Sequence, residues 1–189
     1  MFEHITLFLS FIYAIAITHL LSSATELILA RDRVKVSWLL LGWMAAALQL
    51  LVINWLSFAP LSAVKHWTLG DALLQFTEAF IQYFTCSLVS MRVDKEGVVD
   101  MPAFFARQRP VILSAVLALG IDASIGNYLN RDVSGLRPDA WIGQDMLIAG
   151  LNLVLLLAIF IRASWVQALS VITMLVAFAY FLVQFVALG

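Results

Sequence analysis

Charge is scarce in this chain. Only 12% of its 189 residues are Asp, Glu, Lys or Arg, about half the share of an ordinary soluble domain, while 63% are hydrophobic. A soluble globule of this size exposes too much of itself to hide that much apolar surface; a bilayer solvates it directly. With a net charge of −1, no basic footprint for a nucleic-acid partner exists. The lone cysteine, Cys86, excludes an intramolecular disulfide and a cysteine metal cluster. Three histidines, His4, His19 and His66, leave a bis-histidine haem without two ligands at one depth. No HExxH, GxSxG, phosphate loop or GxGxxG is present. Lys35, Lys65 and Lys95 fall in connecting segments, so no buried amine is on hand for a Schiff base. The expectation is therefore no metal and no cofactor; an intramembrane enzyme stays open, but no motif points to one. No Lys or Arg precedes Arg31, so the N-terminus lacks the basic region of a cleavable signal peptide.

What the chain has instead is long uncharged runs. Residues 4–25, 36–64 and 163–189 contain no Asp, Glu, Lys or Arg; 72–91 contain only Glu78, 110–128 only Asp122, and 140–161 only Asp145. A bilayer core takes about 20 apolar residues per helix. The runs predict an all-α bundle of six transmembrane helices with short loops, near 4–29, 36–58, 69–91, 110–128, 140–161 and 164–187, as one transmembrane domain. The fourth is the weakest in composition, because only 110–121 is uninterrupted.

Loop charges predict a direction. Arg31, Arg33 and Lys35 lie in the first loop, Arg92, Lys95, Arg107 and Arg109 in the third, and Arg162 in the fifth; the even-numbered loops hold only Lys65, Arg131 and Arg137. The positive-inside rule places the odd loops in the cytoplasm and both termini outside. Trp38, Trp43 and Trp165 then fall toward the inner interface and Trp55, Trp67 and Trp141 toward the outer, as an aromatic belt would. Within the third loop, 92–109, Asp100 is positioned to cap a short helix with Pro102 in its first turn. Phe104 and Phe105 beside Arg107 and Arg109 suggest a segment lying in the interface. The loop near 129–139, with Gly135 and Pro138, reads as a turn-rich connection.

Polar residues inside the spans carry the functional information, since lipid does not solvate them. On the third span Asp71, Gln75, Glu78 and Gln82 fall at i, i+4, i+7 and i+11, one stripe on a helix. That face should point into the bundle. Glu78, near mid-membrane, is either a proton or cation site or interhelical glue. Thr68 and Asp71 have capping-box spacing, so Asp71 reads first as a cap. On the first span Ser10, Ala14, Thr18 and Ser22 recur every fourth residue, the pattern of a helix-packing ridge. Glu26 ends the ridge where Arg31 or Arg33 can neutralise it. His19, beside the ridge, is a proton relay or a neutral hydrogen-bonded imidazole. Asn54 and Asn152 read as interhelical bonding groups. Ser170, Thr173, Ala177, Tyr180 and Gln184 form a second small-and-polar face. Asp122 stands near a helix end where the dipole disfavours it. It calls for Arg131, Arg137, a helix N-terminus or a cation; with Glu78 and Asp71 it would make an acidic vestibule.

The run Ile12-Tyr13-Ala14-Ile15-Ala16-Ile17-Thr18-His19-Leu20-Leu21-Ser22, followed by a basic loop and a Trp-containing second helix, resembles a set of small bacterial polytopic membrane proteins with no assigned activity. The resemblance covers roughly residues 8–58. It implies a bacterial inner membrane and transfers no cofactor, partner or functional residue. Two functions remain open: an accessory, scaffold or interaction subunit of a larger membrane assembly, and a small transporter or channel for protons, cations or a small solute working through Glu78. The expected partners are the lipid bilayer and, for the first reading, other membrane subunits or a second copy.

Overall fold

The computed structural model describes residues 2–61, 67–93, 97–129 and 138–188, with side chains described for 4–59, 67–93, 97–129 and 142–183. It is an all-α bundle of six long helices: α1 (Phe2–Leu29), α2 (Trp38–Leu56), α4 (Leu69–Val89), α5 (Met101–Leu129), α6 (Pro138–Phe160) and α7 (Ser164–Leu188), with a single-turn helix α3 (Phe58–Leu61) after α2. Five of the six long helices are long and apolar enough to cross a membrane. The chain is a multi-pass membrane protein.

The helix outside that apolar group is α4, not the span carrying Asp122, which the sequence had marked as weakest. The polar stripe dilutes α4. Its 21 residues still match the thickness of a bilayer core, and α1, α2 and α5 all pack against it. The second correction concerns α5. It begins at Met101 rather than near 110 and runs unbroken through Pro110, so Phe104, Phe105, Arg107 and Arg109 belong to α5 and not to a separate interfacial segment. Asp100 caps it, accepting from the Ala103 N–H at 2.9 Å. Met101, Phe105, Ile112 and Val116 then fall on one buried face.

Close approaches set the helix packing. A Cβ on Gly42 would overlap Val171 of α7, and one on Gly120 would overlap the Asn152 side chain of α6. Glycine at these two positions lets the Val171 side chain seat against the α2 backbone and the Asn152 side chain against the α5 backbone. Trp43 is 1% exposed, so it belongs to the core rather than to an interfacial belt. Trp38, Trp55 and Trp165 are exposed. Trp67 is half-buried, and the side chain of Trp141 lies outside the described residues.

The odd-numbered loops gather at one end of the bundle, the basic end. Val34 and Lys35 pair in parallel with Val99 and Asp100 as two short strands, β1 (Val34–Lys35) and β2 (Val99–Asp100). Lys35 Nζ lies 3.1 Å from Asp100 Oδ2, and Arg33 donates to the Gly97 carbonyl. Ser23 donates to the Met91 carbonyl at 2.9 Å. Glu26 accepts from the Val93 N–H at 3.2 Å, a backbone partner where Arg31 or Arg33 was expected.

Candidate functional site: an unpaired acidic interior

The buried face of α4 is built from Ala72, Gln75, Ala79, Gln82, Cys86 and Val89, while Leu69, Leu73, Phe80 and Phe84 are exposed on the opposite side. The small alanines let neighbouring helices approach, and the amides between them must find partners away from lipid. Along this face the polar residues differ sharply in how well they succeed.

The deep end is saturated. Gln82, 0% exposed, donates from Nε2 to the Ala47 carbonyl at 3.2 Å and to Cys86 Sγ at 3.4 Å. Its Oε1 accepts from Asn54 Nδ2 at 3.0 Å. Gln82, Asn54 and Cys86 thus form a hydrogen-bonded link between α2 and α4. The N-terminal end is saturated too. Asp71 and Thr68 form a capping box, in which Thr68 N–H donates to Asp71 Oδ2 at 2.8 Å and Asp71 N–H donates to Thr68 Oγ1 at 3.2 Å. Asp71 is committed to the helix start.

Between these ends the bonding fails. Gln75 is 6% exposed and its Oε1 has no partner. Glu78, half-buried, has no hydrogen bond or ion pair among the described residues. Asp122 of α5 is 7% exposed and likewise has neither. Leu74 packs against Gly126, and four residues further along these antiparallel helices Glu78 comes level with Asp122. The two carboxylates are near enough for Glu78 to feel the charge of Asp122. Tyr13 of α1, 3% exposed, brings a hydroxyl within electrostatic range of both, and that hydroxyl has no partner. Its ring is fixed edge-on to Phe58 at 5.6 Å. Three helices thus bring two carboxylates and a phenol within electrostatic range of one another, with the Gln75 amide about one turn from Glu78 on α4 and no cation among the described residues pairing with them. Arg131 and Arg137, the expected partners of Asp122, lie outside the described residues. Carboxylate charge is costly in a low-dielectric interior, so such a set accommodates a proton or a cation.

The remaining candidates lie elsewhere. His19 is exposed on α1 and stacks edge-on against Tyr83 at 5.8 Å. Ala14, Thr18 and Ser22 are exposed and Ser10 is half-buried, so the ridge is not a packing seam within this chain. The hydroxyls of Ser10 and Thr18 bond back to carbonyls four residues earlier. Asn152 sits over Gly120, on α6. Ser170 is buried and donates to the Gln167 carbonyl, and Ala177 is buried, but Tyr180 points outward; the side chain of Gln184 lies outside the described residues. Among the described residues no three His, Cys, Asp or Glu side chains converge as metal ligands.

Sequence reasoning passed over Tyr13 and Arg109. Tyr13 shares helical spacing with the buried Leu9, Ala16 and Leu20 and so reads as core; only its stranded hydroxyl separates it from them. Arg109 was assigned to a loop and is instead a buried residue of α5.

No family model, curated protein or solved structure matches the chain.

Proposed function

We propose that this protein is a small transporter or channel for protons or cations, working through Glu78 with Asp122 opposite. The observation that carries the reading is the contrast along α4. Gln82 and Asp71 have found their partners, whereas Glu78, the mid-helix carboxylate, has none among the described residues and lies within electrostatic range of a second one. Structural glue would resemble Gln82. A carboxylate kept unpaired inside a membrane, beside another, exchanges a proton or holds an ion. The Tyr13 hydroxyl, within electrostatic range of both carboxylates, adds a further oxygen, and a set of oxygens suits a proton or a hard cation rather than an anion.

The test is a flux assay in proteoliposomes, comparing the native chain with Glu78→Gln under an imposed proton gradient and then under sodium or potassium gradients. The expected result is a flux in the native protein that Glu78→Gln abolishes. Equal fluxes in the two proteins would remove Glu78 as the working group.

One observation favours a second reading, a subunit of a larger assembly. The small-residue ridge of α1 is turned outward, and its Ser10 and Thr18 hydroxyls are already satisfied by their own helix. Such a surface suits close packing against a helix of another chain. Purification from the native membrane in a mild detergent tests it; a chain that always migrates alone counts against an assembly.

A further inference from the structure

The α6–α7 turn, at the basic end, concentrates positive charge that no carboxylate among the described residues neutralises. Arg109 reaches this turn from α5, and its side chain is buried, with 7% of the residue exposed. It donates from Nη1 to the Ile161 carbonyl at 3.3 Å and from Nη2 to the Ile159 carbonyl at 3.2 Å. Gln167 Nε2 donates to the Ala158 and Ile161 carbonyls, each at 2.8 Å. The last carbonyls of α6 are therefore well served, and two of the five N–H groups of Arg109 are used. The negative end of a helix is worth about half an elementary charge, so it offsets only part of one guanidinium. A second guanidinium, that of Arg162, stands near enough to repel the first.

Among the described residues neither arginine has a carboxylate partner. The acids described at this end are engaged elsewhere: Glu26 with the Val93 N–H, Asp100 with Lys35 and the Ala103 N–H, and Asp32 beside Arg31. Two like charges at the edge of a low-dielectric phase favour an anion between them. The surroundings of Arg162 indicate which kind. Phe160 is 75% exposed and Trp165 68%, so the chain on either side of the exposed arginine presents apolar surface. A soluble anion has no use for that surface; a molecule with a charged head and a hydrocarbon tail matches both parts.

We infer that Arg162, reinforced by the buried charge of Arg109, forms a binding site for the phosphate of an anionic phospholipid whose acyl chains lie against Phe160 and Trp165. Arg162 makes the contact from its exposed position. Arg109, held by the α6 carbonyls, supplies a fixed positive potential behind it. The assignment is independent of the acidic interior and of any transport activity.

The experiment reconstitutes the full chain in phosphatidylcholine vesicles and reads tryptophan quenching by brominated phosphatidylglycerol against brominated phosphatidylcholine. The expected result is a preference for the anionic lipid that falls about fivefold in Arg162→Gln, the size of one arginine at a membrane surface. It is largely retained in Arg162→Lys and unchanged in Arg31→Gln, which removes an exposed charge of the same end. In Trp165→Phe the excess quenching by the anionic lipid should diminish. Equal loss in Arg31→Gln and Arg162→Gln would overturn the site in favour of a diffuse surface potential. No loss in Arg162→Gln would overturn it outright. Abolition of the preference by millimolar glycerol phosphate would show a soluble phosphate site instead of a lipid site. Arg162 is exposed and makes no hydrogen bond among the described residues, so Arg162→Gln leaves the packing of the bundle intact.

Discussion

The basic end of the bundle and the acidic interior solve opposite problems. At the basic end several polar groups have found partners inside the chain, although the exposed Arg162 has none among the described residues. Ser23 reaches Met91, Glu26 reaches Val93, Asp100 serves both a helix start and Lys35, and Arg109 with Gln167 closes the end of α6. In the interior, one to two turns from the saturated Gln82, two carboxylates and a phenol come within electrostatic range of one another and, like the Gln75 amide oxygen nearby on α4, make no hydrogen bond among the described residues. Unmade bonds to buried polar groups cost stability. The end that joins the helices is built for stability, and the interior is where stability has been given up. In natural proteins that concession concentrates at working sites.

The comparison is broken most easily at Arg109. Arg109→Met keeps the length of the apolar stem but strands the Ile159 carbonyl and half of the pairing at Ile161. Hydrogen bonds from a charged donor contribute about 1.5–3 kcal/mol, so a loss of about 3 kcal/mol is expected. Thermal unfolding in detergent, followed by helical circular dichroism, measures it. A loss below the scatter of surface variants would mean that Gln167 alone suffices to close α6.

Gln82→Leu should cost less, about 1–2 kcal/mol, because hydrogen bonds between membrane helices are individually modest. Its sign is fixed by the Asn54 amide, which loses its acceptor. Glu78→Gln sharpens the contrast from the other side. It removes a charge that nothing in the interior offsets, so stability should stay level or rise by a few tenths of a kcal/mol while flux is lost. If Glu78→Gln destabilises as much as Gln82→Leu, the two residues are doing the same structural work and the site reading fails.

The legible and the hidden parts divide along the same line. Long uncharged runs translate directly into spans, because the bilayer dictates their length, and all six long helices were readable on that basis. The start of α5 was not. Arg107, Arg109 and Pro110 resemble a loop, and only the Asp100 cap with the buried spacing of Met101, Phe105 and Ile112 reveals a helix. The stripe of α4 was visible because spacing along one helix needs no tertiary knowledge. The meeting of Glu78 with Asp122 needs the register between α4 and α5, which is set by the contact of Leu74 with Gly126. Trp43 shows the same limit: an aromatic placed at an interface by its position in the run is in fact enclosed by neighbouring helices.

The smallest effect lies at Asp100. Its carboxylate accepts the Ala103 N–H and then pairs with Lys35, and both contacts hold its pKa below the ordinary value of 3.8. A group whose folded pKa is depressed stabilises the fold above its unfolded pKa and loses that contribution as the pH falls through the folded value. The stabilisation should therefore be complete at neutral pH and begin to fall only as the pH drops toward 3.8 and below. Because the side chain is open to solvent, the effect should be slight and should shrink further with added salt. Asp100→Asn keeps a capping oxygen for Ala103 but lacks the charge, so its unfolding temperature should be marginally lower at pH 7 and converge with that of the native protein once the pH falls below the folded-state pKa of Asp100. A difference that persists unchanged at acid pH would assign the role of Asp100 to the cap alone. The β1–β2 junction would then owe nothing to the Lys35 ion pair.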